Sequence, residues 1–553
     1  MLRSRLPLRA ILLATLFVAA VASGVTVVAG AQRRPPPLAA PTIPAEERPK
    51  LVVLITVDQL RPDYLTRWDS QCTGGFRRLL DEGAFYTRAV QDHAIAETAP
   101  GHAATLSGRF PYSTGIASNS AGVNTPDAPL VGSEGDGASP FRFRGTTLAD
   151  WMTAADPRTR VLSVSRKDRG AILPIGRAKH PVFWYAPASG RFVTSTWYAE
   201  SLPAWVQEFN AEERVVTRYA GRGWDLLLSA TEYPEADSVP EESAGQGFTF
   251  PYQLPREEFA ARDGIIGQPW MDELTLDFAW RGVRALDLGG GPQTDLLAVS
   301  LSSTDAVGHR WGPDSRELHD QVLRVDRFLG VFLDSLIALR GRENVAIVLT
   351  SDHGVAPIPE VRSSWGDNSR ARRIMREDFN PAFNRVAQHV IRSRIPAGAF
   401  TFDFPTLNVN RAKVGTRTRE LRTVARAFAA EVRRIPGVMR ADVIDDLTLA
   451  DTVQDVIARR WLHMFRPGGE ELVAITLQPF NYGRAGIATH GTPHDYDARV
   501  PVIFWGRHFS SFADTTMTRV VDIAPTLAHL LGIQPLERLD GVVLVRTFRP
   551  VPE

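Results

Sequence analysis

Three aspartates, three histidines and one threonine stand out by type and setting: Asp58, Asp305, Asp352, His309, His353, His490 and Thr98. Carboxylates and imidazoles both ligate divalent metals. Asp352 and His353 end the run VAIVLTSDHG, in which residues 345–349 are uncharged, apolar and mostly β-branched. That is the pattern of a parallel strand buried on both faces. Asp58 ends a similar run, LVVLITV at 51–57, and Asp305 follows LLAVSL at 296–301. An acid at the carboxyl end of a buried strand is where an open α/β sheet puts its chemistry. Asp305 and His309 are four apart and share a face if that segment is helical. Thr98 precedes Pro100 by two residues, and proline suits a first helical turn. The threonine therefore falls in a cap region, beside unpaired N–H groups and a positive helix end that welcome phosphate. An ordinary helix cap with no chemistry would look the same. Three acids and three histidines suffice for two divalent ions. Zinc ions about 4 Å apart can clamp the attacking and leaving oxygens of an in-line displacement.

Groups that suit phosphate lie between these positions. Lys167, Asp168 and Arg169 follow a strand pattern at 161–165. If the chain stays extended, Lys167 and Arg169 share one face, and two adjacent cations suit a dianionic phosphate. The plainer reading of this run is a solvated charge cluster. Asn119, in a Gly/Ser/Asn loop, reads by itself as a turn residue. Trp184, Tyr185, Trp197 and Tyr198 are candidates for a pocket wall, although aromatics more often fill a core.

The elements that must position these residues follow from periodicity. Apolar residues at 318, 322, 325, 329, 332, 336 and 339 predict a long amphipathic helix between the strands at 296–301 and 345–349. Strand, helix, strand is the βαβ unit of a parallel sheet. A short helix at 76–83, strands at 84–90 and 500–505 and a helix at 522–531 complete the frame. Residues 177–287 read as an excursion, or crown, over the sheet. Residues 355–468 read as a second excursion, with a helix at 419–434 flanked by strands at 401–410 and 439–444. The expected class is α/β, with a mostly parallel central sheet flanked by helices. Residues 51–545 are expected to form one catalytic domain carrying insertions near 177–287 and 355–468.

Composition narrows the function classes. The 553 residues allow two or three average domains or one large α/β enzyme. A net charge of +1 gives no footprint for nucleic acid or an anionic membrane surface. Cys72 is the only cysteine, which excludes an intrachain disulfide and a thiolate metal cluster. Arg3, Arg5 and Arg9 precede an apolar run to residue 30, and Ala29-Gly30-Ala31 fits a cleavage site before Gln32. The run is also long enough for an uncleaved anchor. Residues 32–50, rich in Pro and Ala, read as an extended linker. The expectation is export to the periplasm or beyond, soluble or tethered at one end.

Six motifs in order then resemble the alkaline phosphatase superfamily: VDQ at 57–59, TAPGHAATLSG at 98–108, TDAVGH at 304–309, SDHG at 351–354, THG at 489–491 and VDIAPTL at 521–527. SRKDRGAILPIGR at 165–177, with Asn119 after Thr98, is most similar to exported phosphate monoesterases of the PafA type. The resemblance implies an alkaline phosphatase-like fold and two zinc ions per chain. One would be held by Asp305, His309 and His490, the other by Asp58, Asp352 and His353 with Thr98. It implies that Thr98 is a nucleophile forming a phosphothreonine, which water then cleaves. Lys167, Arg169 and Asn119 would bind the phosphate, and small phosphate monoesters would be the substrates. His494 competes with His490 for the last ligand position; His490 lies in the THG match. A diesterase or nucleotide pyrophosphatase shares the metal core, but the Lys167/Arg169 pair favours the doubly charged monoester. A sulfatase needs a C/S-x-P-x-R motif, and Cys72 is followed by Thr-Gly-Gly. An exported phosphate-binding protein without turnover fits less well, because the full ligand set and hydroxyl are present.

Overall fold

A computed structural model of the chain describes residues 41–366, 371–483 and 486–549. The leader at 1–31 lies outside the described residues. The body is an eleven-stranded, mostly parallel sheet with helices on both faces. At its centre lie four adjacent parallel strands, Val345–Thr350, Leu51–Val57, Asp295–Leu301 and Val161–Ser165. Every residue in them is buried. Alternate residues of the first strand face different cores: Leu51, Val53 and Ile55 on one side, Val52 and Leu54 on the other. This explains the unbroken apolar runs, since both sheet faces are covered and neither side chain set meets water.

The register positions the chemistry. Thr56 lies opposite Thr350 on one side and Ser300 on the other, and Ser300 lies opposite Ser165. The four strands thus end at one level. Asp58, Asp352, the segment leading to Asp305, and Lys167 all emerge along a single carboxyl edge, the place an open α/β sheet offers a ligand.

The predicted long helix runs Arg316–Arg340, begun by the Ser315 hydroxyl accepting from the Leu318 N–H. Its apolar stripe is buried from Leu318 to Leu336, but Leu339, in the last turn, is exposed. The helices Thr98–Ser107 and Ile523–Leu531 cover the opposite face.

Two stretches differ from their sequence reading. Within the stretch read as an excursion, Val182–Ala186 and Arg191–Ser195 extend the central sheet. Trp184 and Tyr185 are buried there as core, not as a pocket wall. Trp197 carries Lys179 over its ring, and Tyr198 packs against the core. In the second excursion, the single strand read at 401–410 is a hairpin of Phe400–Asp403 and Thr406–Val409. Pro405 falls at the turn, where a residue without an N–H costs no ladder hydrogen bond. These strands join Glu471–Leu477 and Val438–Val443 in a separate four-stranded sheet, packed by Asn380–Ser393 and Thr418–Val432. Among the described residues no helix is long and apolar enough to cross a membrane.

Candidate active site

Two sets of donors meet at the carboxyl edge. Asp305, His309 and His490 form one and Asp58, Asp352 and His353 the other, the ligand atoms within each set lying within 4.8 Å of one another. Asp305 and His309 are presented by one face of the helix Ser303–Trp311. Asp58 and Asp352 directly extend neighbouring strands, and the Asp58 N–H donates to the Leu301 carbonyl at 2.8 Å. His490 comes from a loop far along the chain.

Backbone carbonyls orient the three histidines. Nδ1 of His309 lies 2.7 Å from the Ala488 carbonyl, Nδ1 of His353 2.9 Å from that of Gly354, and Nδ1 of His490 2.7 Å from that of Ala96. A carbonyl only accepts, so each ring keeps a proton on Nδ1 and turns Nε2 inward, the orientation metal-ligating histidines use. His490 Nε2 lies 3.2 Å from His309 Nε2, so the two nitrogens face a common point. Burial, with His353 and His309 beside it, holds the His490 pKa well below the usual histidine range. The buried oxygens Asp58 Oδ1 and Asp352 Oδ2 make no well-formed hydrogen bond and have only imidazoles near them, His353 Nε2 at 3.4 and 3.5 Å and His102 at 3.2 Å from Asp352 Oδ2. Inward-facing ring nitrogens and buried carboxylate oxygens without a hydrogen bond fit bound cations. His494 is different: its Nε2 faces the Leu477 carbonyl at 2.8 Å, and it belongs to neither set.

The electrostatics agree. Burial, with the Asp305 and Asp352 carboxylates nearby, raises Asp58 to about 6. Asp305 is also buried, but Lys167 and His309 outweigh burial and hold it well below the carboxylate range. The Lys167 ammonium lies 2.5 Å from Asp58 Oδ2 and 2.7 Å from Asp305 Oδ2, between the two sets. It is also 3.3 Å from the Thr98 hydroxyl, whose other neighbour is His353 Nε2 at 3.4 Å.

Thr98 is the first residue of its helix, and Glu97 is the cap position. The capping is done from outside: Asn119 Oδ1 accepts from the Ala99 N–H at 2.8 Å, and the Asn119 N–H donates to Glu97 Oε2 at 2.7 Å. The Thr98 hydroxyl is thereby left for the site. Lys167 and Arg169 do not share an extended face, because a helix begins at Asp168 immediately after Lys167. Lys167 reaches the centre. Arg169 sits part-exposed, with Nη1 3.6 Å from Asp168, and Asp168 also accepts from the Arg169 N–H at 2.6 Å.

Two supporting residues were not singled out from sequence. Gln59 holds a left-handed backbone, φ +66°, and is wholly buried. Its side-chain amide donates to Asp305 Oδ1 at 2.8 Å and its N–H to Asp352 Oδ1 at 3.1 Å, tying the two sets together. His102 lies 3.2 Å from Asp352 Oδ2, with Nε2 2.8 Å from the Ser300 hydroxyl. The spacing of four from Thr98 to His102 was a readable signal, since it places both on one helix face.

Gly101 lets this helix approach. A Cβ there would lie 2.3 Å from the Asp352 carbonyl oxygen and 2.7 Å from its Cβ. Gly101→Ala must therefore displace Thr98 from Asp352 and His353. A misplacement near 1 Å costs about a hundredfold in rate, so kcat is expected to fall ten- to hundredfold in folded protein. Steady-state turnover beside a melting curve checks this, and parent-like turnover would show that the helix yields freely.

Residues 52–376, more than half the chain, match the family model described as type I phosphodiesterase / nucleotide pyrophosphatase. The chain belongs to this family. It falls in the alkaline phosphatase superfamily, as the motifs implied. Within it, alkaline phosphatase PafA of Elizabethkingia meningoseptica is 31% identical over 515 residues, covering 89% of this chain and 93% of that one. A protein of Myroides odoratus named calcium-transporting ATPase is 32% identical over 516 residues, covering 88% and 92%. The crystal structure of wild-type PafA matches at 28% identity with a TM-score of 0.83, over 92% of this chain and all of that one. The family fold is thus the one described above.

Proposed function

We propose that the chain is an exported, zinc-dependent phosphate monoesterase working through a phosphothreonine at Thr98. The coarser part rests on kinship: it is a hydrolase of the alkaline phosphatase type, related along most of its length to curated alkaline phosphatases. The observation that carries the finer part is the seat of the Thr98 hydroxyl. It lies between His353 of one donor set and the Lys167 ammonium that spans both sets. The sequence of the leader at 1–31 supports export.

Asp305, His309 and His490 would hold one zinc ion, and Asp58, Asp352 and His353 the other, beside Thr98. Bound there, the ions supply Lewis-acid stabilisation to oxygens entering and leaving phosphorus. Thr98 gives up its hydroxyl proton and bonds through Oγ1 to phosphorus, while the bond to the ester oxygen breaks and the alcohol leaves protonated. Water then attacks the phosphothreonine, the Oγ1–phosphorus bond breaks, Thr98 regains a proton and inorganic phosphate departs. Lys167 stands 3.3 Å from Oγ1, so an oxygen on the phosphorus under attack falls within its reach. Asn119, through its amide N–H, and Arg169, on turning from Asp168 toward the centre, would meet the charge on the remaining non-bridging oxygens.

The family description favours a second reading, hydrolysis of diesters or pyrophosphates. The cations weigh for the monoester, whose phosphoryl group carries the extra charge. Neutralising both in Lys167→Ala/Arg169→Ala separates the readings. Each charge-assisted contact contributes about 1.5–3 kcal/mol, or roughly ten- to hundredfold in rate. Turnover of p-nitrophenyl phosphate is expected to fall by that factor or more, and turnover of the bis ester far less. A parent enzyme that prefers the bis ester, or equal losses on both, would favour the diester reading.

A further inference from the structure

Beside the site lies a cavity of about 430 Å³, within the range of small-molecule pockets. One wall belongs to the central body: Glu97, which immediately precedes Thr98, with Asn119 and Ser120. The other wall comes from the four-stranded insertion and is aromatic: Phe379, Phe402 and Phe404. These rings form a connected surface. The Phe379 and Phe402 centroids are 5.1 Å apart, and those of Phe379 and Phe404 5.8 Å. Phe402 is braced from behind by Phe383 at 5.1 Å and Phe428 at 6.2 Å. Arg376 and Asp403 are exposed and add one charge of each sign to the lining.

The chemistry of the two walls is unequal. A phosphoryl group needs the cations and donors at the sheet edge, and three phenylalanines offer it nothing. Phe402 and Phe404, half-buried over the buried Phe379, offer apolar faces to a flat ring, while Arg376, Asp403 and the Ser120 hydroxyl offer partners to its polar edge. A flexible polyol would gain little from rings it cannot stack on.

We propose that this cavity binds the alcohol portion of the phosphate ester and selects a planar aromatic ring with a polar edge, as in aryl and nucleoside monophosphates. The inference rests on the monoesterase reading and names its substrate class. Asn119 links the two regions: it lines the cavity and holds the Ala99 N–H at the start of the Thr98 helix.

Gly483 supplies a second handle. A Cβ there would lie 2.1 Å from Phe404 Cε1 and 2.3 Å from its Cζ, so Gly483→Ala must push that ring aside. Neither Phe404 nor Gly483 belongs to the metal or phosphate machinery. The test measures kcat/KM for phenyl phosphate, adenosine 5′-monophosphate and glycerol phosphate in the parent, in Phe404→Ala and in Gly483→Ala. Comparing variant with parent on each substrate cancels the intrinsic reactivity of the leaving group. Loss of a ring-stacking partner should lower kcat/KM about tenfold on the ring-bearing substrates, with glycerol phosphate nearly unchanged. The glycerol phosphate rate also reports that the variants are folded. A fall on both ring substrates assigns the pocket to aromatic rings in general, and a fall on the nucleotide alone assigns it to nucleosides. Equal effects on all three substrates, or none, would overturn the inference. A parent inactive on every monoester, glycerol phosphate included, would instead overturn the monoesterase reading on which the inference stands.

Discussion

Thr98→Ala is expected to lower turnover by about a thousandfold or more in protein that remains folded and metal-replete, as loss of a nucleophile does. The structure removes the usual competing explanation. A capping threonine costs about 0.5–2 kcal/mol when replaced by alanine, but here Asn119 Oδ1, not Thr98, satisfies the N–H at the helix start. The mutation therefore deletes a hydroxyl that faces His353 and Lys167 while leaving the helix capped. Thr98→Ser should keep substantial activity, because a primary hydroxyl can occupy the same seat. A melting temperature close to the parent's, measured beside kcat, separates lost chemistry from lost structure. Near-normal turnover by Thr98→Ala would mean that water attacks the ester directly.

The second large effect is expected at the metals. Active protein should contain about two zinc ions per chain by elemental analysis, matching the two donor sets. Chelation should abolish turnover and lower thermal stability, since a metal at a thousand times its Kd stabilises the folded state by about 4 kcal/mol. His490→Ala should impair zinc content and turnover severely. His494→Ala should leave zinc content near the parent value, because the His494 Nε2 already faces the Leu477 carbonyl, outside both sets. The reverse ranking would reassign the last ligand, and a single metal, or magnesium in place of zinc, would contradict the paired centre.

Much of the frame was legible because its cause is local. Runs such as LVVLITV are apolar on every residue only when both sheet faces are covered, and the first strand spans the whole of that run. Asp305 and His309 announced a shared helix face by their spacing, and the helix Ser303–Trp311 carries both. What was not legible depends on contacts remote in sequence. Nothing in the order of residues shows that Gln59 takes a left-handed backbone to reach Asp305 and Asp352 together. Val182–Ala186 and Arg191–Ser195 look like part of an irregular excursion until the sheet edge they pair with is known. The aromatic wall was sought at Trp184 and Tyr185, which the sheet buries. It lies instead at Phe379, Phe402 and Phe404, in an insertion whose approach to Asn119 no local pattern encodes. The Lys167/Arg169 pair was read as extended; instead a helix starts at Asp168, with Lys167 between the two donor sets and Arg169 beside Asp168.

The central claim is a double displacement through Thr98, and the stereochemistry at phosphorus tests it most directly. A monoester made chiral with oxygen isotopes is turned over, with transfer to an alcohol acceptor so that the product phosphorus keeps its handedness. Two successive in-line displacements, first by Thr98 and then by the acceptor, predict net retention of configuration. Net inversion would mean a single direct attack and would contradict the phosphothreonine.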